Sequence, residues 1–423
     1  MHGERERHSV ASDRAIIIGG GHAGAQLCAS LRQEGWVGEI LIIGDEPALP
    51  YHRPPLSKTY LSGKSSLADL LIRPPEFYEK QDITIRHARV AAIDRQARSV
   101  TLSDGEEIGY AKLALCLGAR PRRLPIAGAE LAGVHYLRDA SDIEAIRGGL
   151  TDTRRVVIIG AGYIGLETAA SLRTLGGTSV TVLESAERVL QRVTAPEVSE
   201  FYARVHSEEG VELRTGVAVA AIEGDDCVRG VRLADGELLE ADLVIIGIGV
   251  QPNTELAEAA GLTVDNGIVI DGSGLTSDPD IVAAGDCASY FLPRYDRHLR
   301  LESVPNAVEH AKVAAATMCG KPKTISALPW FWSDQYELKL QIAGLNDGYD
   351  DVVLRGDPKS GRSFACFYFK NGEMIAADCV NRPKEFMFSR RALNDRVPID
   401  RSLLADPESS LTELLKAPST DRS

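Results

Sequence analysis

Gly19-x-Gly21-x-x-Gly24 and Gly160-x-Gly162-x-x-Gly165 are two copies of one glycine-rich turn, and each could cradle a diphosphate. The first glycine permits the tight bend, the second lets backbone approach a pyrophosphate, and the third allows a helix to pack closely on a strand. An acid roughly 20 residues beyond such a turn can bind a ribose diol, and Asp45 and Glu184 stand there. Glu46 competes with Asp45, and Gly44 precedes the acid, so that contact could shift by a residue. After Glu184 no basic residue occurs before Arg188, and a carboxylate at this place repels a 2′-phosphate, which favours NAD over NADP. One such turn alone would be weak evidence. Two, each in its proper context, predict two dinucleotides meeting in one protein.

The context lies in the flanking elements. Ala15 to Ile18 is a short apolar run suited to a parallel strand buried on both faces, and a helical pattern follows from Ala23 to Glu34, then a second aliphatic run from Ile40 to Ile43. The second copy repeats this order with Val156 to Ile159, a helical stretch through Leu175, and Ser179 to Leu183 ending at Glu184. Both read as βαβ units. Lys112 to Gly118 closes the first unit and Asp242 to Gly249 the second, each an aliphatic strand running into glycine and then proline, as if one module were inserted into the other. Ile281 to Ala284 is a further strand, running into Gly285-Asp286; Asp286 could take a sugar hydroxyl, although a carboxylate there is more often a turn residue.

Composition agrees with a protein of two or three domains. The chain has 423 residues, 44% hydrophobic and 25% charged, the proportions of an ordinary globular protein. No apolar run approaches the roughly 18 residues of a membrane span, and residues 1–8 lack the hydrophobic segment of a signal peptide, so a cytoplasmic protein is expected. The net charge of −13 argues against nucleic acid as a partner. The seven cysteines contain no close pair, which argues against a dithiol relay, and nine scattered histidines lack ligand spacing, so no metal site is expected. Cys116 and Cys366 sit in apolar strings and read as buried small hydrophobes.

Six strings carry a resemblance. Pro50-Tyr-His-Arg-Pro-Pro-Leu-Ser-Lys58, Gly160-Ala-Gly-Tyr-Ile-Gly-Leu-Glu167, Gly247-Ile-Gly-Val-Gln-Pro-Asn253, Ala284-Gly-Asp286, Glu302-Ser-Val-Pro-Asn306 and Pro329-Trp-Phe-Trp-Ser-Asp-Gln-Tyr336 occur in the order found in the FAD-dependent, NADH-using ferredoxin reductases of bacterial oxygenase systems. The likeness runs from about Arg14 to the Leu415 region. It implies an α/β fold with two Rossmann-like, glutathione-reductase-like dinucleotide domains and a carboxyl-terminal α+β domain. It also implies an NADH:ferredoxin oxidoreductase: NADH delivers a hydride to N5 of bound FAD, and electrons then pass singly to a 2Fe-2S ferredoxin that serves a cytochrome P450 or related oxygenase.

Site residues follow from the same likeness. Contacts to FAD are implied at Gly19, Gly21, Ala23, Gly24, Asp45, Arg53, Lys58, Val90, Gly118, Arg138, Asp286, Val304 and Trp332. Contacts to NAD are implied at Gly160, Gly162, Tyr163, Ile164, Gly165, Glu167, Glu184, Arg192 and Gly249. Read from the residues alone, Lys58 is a loop cation and Glu167 a carboxylate favoured near a helix start, with or without a catalytic role. In the family these positions face each other near the flavin and the nicotinamide. Tyr163, inside the second turn, is placed beside the nicotinamide, and Trp332 beside the flavin ring. Because small ferredoxins are typically acidic, an acidic reductase needs a locally basic docking face; Arg297, Arg300 and Lys312 are the candidates, with lysine at 312 where the resembling reductases carry arginine.

The expected organisation is an FAD domain from 13–122 and 252–328, an inserted NAD domain from 123–251, and a third domain from 329–416 that caps the flavin, with flexible termini at 1–12 and 417–423. In the third domain, Ser363 to Lys370 is β-prone, Asn371-Gly372 signals a hairpin, and a charged helix is expected around Arg390. A monomer is expected. The competing enzyme reading, an oxidase or peroxidase of the same architecture, wants a redox cysteine between about residues 45 and 60, where there is none. A signalling flavoprotein of the apoptosis-inducing type is disfavoured by the acidic balance.

Overall fold

Each glycine turn joins a buried parallel strand to a helix. In the computed structural model, which describes residues 13–416 except 152, contacts divide the chain into two units. The first comprises residues up to His52, Leu70–Arg120 and Gln251–Ala327; the second comprises Arg53–Asp69, Pro121–Val250 and the chain from Leu328 onward. The segment 53–69, expected with the first nucleotide module, therefore groups with the second unit. The segments 1–12 and 417–423 lie outside the described residues.

The first unit is built on a five-stranded parallel sheet in the order Ile281–Ala283, Lys112–Leu115, Ala15–Ile18, Ile40–Gly44, Ile83–His87. The Ala15–Ile18 strand is central, with Ile17 opposite Ile42 on one side and Ala114 on the other. Its residues are buried on both faces, which is why it reads as an unbroken aliphatic run. The His22–Glu34 helix packs against the Val304–Met318 helix, whose Ala311, Ala314 and Ala315 let the two backbones come close around Leu27 and Leu31.

The second unit repeats the design: parallel strands Val211–Thr215, Ser179–Glu184, Arg155–Ile159, Leu243–Ile246 and Val134–Tyr136, with the Tyr163–Leu175 helix leaving the second glycine turn. The same unit holds an antiparallel sheet in the order Trp330–Gln335, Leu338–Gly344, Glu373–Val380, Phe364–Lys370, Asp351–Arg355, covered by the Pro383–Asp395 helix. Asn371 and Gly372 both have positive φ, 51° and 84°, the geometry a two-residue hairpin demands. Within Trp330–Gln335, side chains alternate: Ser333 and Gln335 are buried, whereas Trp332 and Asp334 turn to the other face and line a groove of about 280 Å³ with Trp330 and Lys339.

Candidate functional site

The two turns separate glycines that packing requires from glycines it does not. A Cβ on Gly19 would lie 2.1 Å from the Cys116 carbonyl oxygen, and one on Gly24 would lie 2.0 Å from that of Gly19. In the second turn, a Cβ on Gly160 would lie 2.5 Å from the Gly247 oxygen and one on Gly165 2.1 Å from that of Gly160. Gly21 and Gly162, by contrast, have nothing within 4 Å of an added Cβ. Both are helix N-caps without a side-chain capping bond, so the free N–H groups of the helices face open ground. A diphosphate fits that ground, and a side chain on the middle glycine would fill it. Ala23 is buried in the first helix, while Ile164, 43% exposed, is an apolar side chain left uncovered beside the second turn.

Glu184 is aimed by backbone. Its Oε2 accepts the Ala161 N–H at 2.8 Å and its Oε1 the Ala186 N–H at 2.9 Å, which pins the carboxylate against the second glycine turn with lone pairs to spare for ribose hydroxyls. In the first unit Glu46 accepts a hydrogen bond from the Tyr51 hydroxyl, and Asp45 stands exposed at a cavity of about 310 Å³ lined also by Gly20, Gly44, Pro50, Arg86 and His87. His87 Nε2 donates to the Asp45 carbonyl at 2.7 Å and so steadies the strand end. Asp45 is thus the better placed of the two acids.

Lys58 and Glu167 meet inside the second unit. The Leu56–Tyr60 turn is fixed to the Tyr163–Leu175 helix by the Ser171 hydroxyl, which donates to the Ser57 carbonyl at 2.6 Å. This brings Lys58 Nζ to 2.9 Å from Glu167 Oε2. The same oxygen accepts from Ser57 Oγ at 2.8 Å, and Oε1 accepts from Ser333 Oγ at 2.6 Å. A nearly buried carboxylate is therefore matched by one ammonium and two hydroxyls. Tyr163 packs its ring 4.8 Å from that of Phe331, and its hydroxyl is buried without a hydrogen-bond partner, so burial pushes that phenol well above its ordinary range. Trp332 lies 5.5 Å from Trp330, ring to ring, in the groove of the antiparallel sheet.

The remaining expected contacts fall in ordered places. Arg53 donates to the Arg138 carbonyl at 3.1 Å, and the Arg138 N–H in turn donates to Asp142 at 2.7 Å. Gly118 and Gly249 both have positive φ, and an Arg192 Nη would lie 3.8 Å from a Cβ on Gly249. Val90 is half-buried in the Val90–Asp94 strand, and Val304 opens a helix capped by Ser303. The Asp286 carbonyl accepts from Arg300 Nη1 at 3.1 Å. Arg300, expected at a docking face, is only 7% exposed and pairs with Glu302 at 2.6 Å. Its guanidinium is spent holding the Asp286 loop. Lys312 is exposed and Arg297 half-buried, which leaves those two as candidate docking cations.

No sequence motif pointed to Ser57 or Ser333 as partners of Glu167. The alternation in Trp330–Gln335 was the available signal for Ser333, since it places Ser333 opposite the face carrying Trp332.

The family model for pyridine nucleotide-disulphide oxidoreductases matches residues 13–311, and that for the reductase C-terminal domain matches residues 330–415. The chain belongs to the pyridine nucleotide-disulphide oxidoreductase family. It is 46% identical to putidaredoxin reductase CamA of Pseudomonas putida over 96% of this chain and 98% of that protein. It is 44% identical to the probable ferredoxin reductase CtmF of Castellaniella defragrans, over 96% and 99% of the two chains. Among solved structures, the ferredoxin reductase for the CYP199A2 system from Rhodopseudomonas palustris superposes with a TM-score of 0.93 at 43% identity, covering 96% of this chain and all (100%) of that one. The reductase in a covalent putidaredoxin reductase–putidaredoxin complex gives 0.91 at 46% identity, covering 96% and 98%.

The disulphide of the family name is not found here: all seven cysteines are free. In the first unit Cys28 is pushed up to about 12 and Cys287 to about 11 by burial, and Cys116 well above its ordinary range. Burial thus favours the protonated thiol at all three. Among the described residues no helix is long and apolar enough to cross a membrane.

Proposed function

We propose that this chain is an FAD-dependent NADH:ferredoxin oxidoreductase that takes a hydride from NADH and passes single electrons to a 2Fe-2S ferredoxin supplying a cytochrome P450 or related oxygenase. FAD, when bound, supplies the conversion of a two-electron hydride donor into two one-electron transfers. The observation that carries the reading is the Lys58–Glu167 pair, 2.9 Å apart, in a chain whose thiols are all free. The free cysteines offer no dithiol relay beside a bound FAD, so a bound flavin would have to meet its electron acceptor without sulfur between them.

The chain's residues divide the work. Gly19, Gly21, Ala23 and Gly24 with Asp45 hold the adenosine diphosphate half of FAD, and Arg53, Val90, Gly118, Arg138, Asp286 and Val304 are its further contacts. Gly160, Gly162, Ile164 and Gly165 hold the NADH diphosphate, Glu184 its ribose, and Arg192 and Gly249 are its further contacts. Tyr163 would border the nicotinamide, with its ring packed on Phe331. Lys58 would set the local charge beside a bound flavin, Glu167 fixes Lys58, and Trp332 would pack against the flavin ring. None of these acts as a proton donor in the hydride step, which needs alignment above all. Arg297 and Lys312 supply basic contacts for an acidic ferredoxin. The reading takes the protein as a cytoplasmic monomer, a compartment that suits seven free thiols.

Anaerobic stopped-flow absorbance tests this. Mixing the yellow protein with NADH should bleach the flavin quickly, NADPH should act more slowly, and a 2Fe-2S ferredoxin added next should be reduced rapidly. Fast bleaching with no passage to any ferredoxin would point to an oxidase instead, and slow bleaching with a persistent charge-transfer band to a signalling flavoprotein.

A further inference from the structure

A continuous file of buried polar side chains runs away from Glu167 within the second unit. Ser333 Oγ is 2.6 Å from Glu167 Oε1, Gln335 Nε2 is 3.2 Å from Ser333 Oγ, His206 Nε2 is 2.8 Å from Gln335 Oε1, and the Tyr336 hydroxyl is 3.3 Å from His206 Nδ1. Ser333 and His206 are 0% exposed and Gln335 is 1% exposed. Only Tyr336 reaches partial exposure. None of these residues belongs to the nucleotide turns.

The direction of the bonds as far as His206 is fixed by the first. A carboxylate only accepts, so the single Ser333 hydroxyl proton is spent on Glu167. Ser333 Oγ must then accept from Gln335, which turns the amide Nε2 toward Ser333 and its Oε1 toward His206. An amide oxygen only accepts, so His206 carries its proton on Nε2. Burial holds His206 neutral, down to about 4, so its Nδ1 is a lone pair and Tyr336 donates to it. Four donors point one way, toward Glu167, and aligned bonds of this kind polarise one another.

We propose that Ser333, Gln335 and His206 are positioning residues for the reaction, a one-directional hydrogen-bond chain that holds the Glu167 carboxylate in the orientation in which it grips Lys58. The Trp330–Gln335 strand joins this chain to the opposite face, since Ser333 and Gln335 alternate with Trp332. The titratable groups that interact with Glu167 from the elements around it are Lys58 on the 56–60 turn, Tyr163 on its own helix and Tyr202 on the Pro196–Glu208 helix. Glu167 already takes Lys58 and Ser57 on Oε2, so loss of the Ser333 bond frees Oε1 and lets the carboxylate rotate.

This inference rests on the reductase reading, and its test separates the two. In Gln335→Met and Ser333→Ala proteins, the limiting rate of flavin bleaching by NADH should fall about tenfold with FAD content unchanged, as expected when a positioning group shifts by a fraction of an ångström. Ser333→Thr, which keeps the hydroxyl, should recover most of the rate. Independently of turnover, Lys58 should be labelled several-fold faster by an amine reagent in Gln335→Met, read by peptide mass spectrometry. Nitrogen-15 spectra of His206 should show the Nε2–H form in the wild-type chain and lose it in Gln335→Met. Unchanged Lys58 labelling and unchanged bleaching in both variants would overturn the chain. A wild-type protein that NADH fails to bleach would overturn the reductase reading and leave the labelling and nitrogen-15 results readable.

Discussion

The Lys58 ammonium sits 2.9 Å from the Glu167 carboxylate, the two side chains 18% and 7% exposed, and so ties a proline-stiffened turn to the helix that follows the second glycine turn. Because both charges are largely out of water, removing one strands the other. Lys58→Met leaves Glu167 with two hydroxyl donors and no cation, and should cost roughly 2–3 kcal/mol of stability, somewhat under the range for fully buried pairs. Urea unfolding measures it. Glu167→Gln should cost less, since the amide oxygen still accepts a hydroxyl proton, yet it should slow flavin bleaching by NADH at least as much as Lys58→Met does. Losses under about 1 kcal/mol in both would mean that the pair is already well solvated.

Alanine at the glycines should separate binding from folding. Gly21 and Gly162 have extended φ of −81° and −77° and open space in front of them, so alanine there strains nothing and should leave the thermal midpoint level or slightly higher. The methyl group nevertheless stands where a diphosphate must come. Gly21→Ala should therefore purify with little FAD, and Gly162→Ala should keep its FAD while losing affinity for NADH. Gly165→Ala is the contrasting case: its Cβ would fall 2.1 Å from the Gly160 carbonyl oxygen, and the protein should be strongly destabilised. Flavin content, NADH titration and thermal melts distinguish the three.

Much of this fold was legible because parallel strands buried on both faces announce themselves as unbroken aliphatic runs, as at Ile16–Ile18 and Val156–Ile159, and because the glycine turns mark where each helix starts. The Asn371-Gly372 hairpin was equally plain, since few residue pairs accept two positive φ values. Less legible were contacts distant in sequence. Nothing in the Pro54-Pro55-Leu56-Ser57-Lys58 string says that it packs on the Tyr163–Leu175 helix, and short strands such as Val134–Tyr136 carry too few residues for a period to show. Arg300 reads as a docking cation because an acidic chain that meets an acidic ferredoxin needs a locally basic face; only its carbonyl and Glu302 partners reveal it as a fixed strut. Buried polar partners such as Ser333, Gln335 and His206 have no motif, because their types are set by one another.

Coenzyme preference should respond to Glu184. Its two oxygens are tied to the Ala161 and Ala186 N–H groups at 2.8 and 2.9 Å, so the charge is held at one place beside the turn. Glu184→Ala should raise the KM for NADH about tenfold, the loss of one charge-assisted contact, and lower that for NADPH. Steady-state ferredoxin reduction with each coenzyme measures the ratio. No gain with NADPH would place the adenosine ribose away from Glu184.

Asp378 offers a pH signature. It is fully buried; the Tyr368 hydroxyl donates to its Oδ2 at 2.5 Å, and its Oδ1 has no hydrogen-bond partner. Burial pushes its carboxyl from the usual 3.8 up to about 7, against the opposing pull of the Tyr368 bond. Over that window the folded chain binds the proton more strongly than the unfolded one, so this stabilisation is complete below the unfolded value and is lost as pH rises toward 7. His206 works in the opposite sense: burial lowers it from 6.5 to about 4, so its contribution is present above 6.5 and lost as pH falls through about 4. The two nearly oppose each other between pH 4 and 7. Asp378→Asn keeps an acceptor for Tyr368 and removes the falling limb, so its thermal midpoint should climb more steeply than that of the wild-type chain across that range. Parallel profiles would mean that Asp378 ionises in the folded protein as easily as in the unfolded one, which its burial and its orphaned Oδ1 argue against.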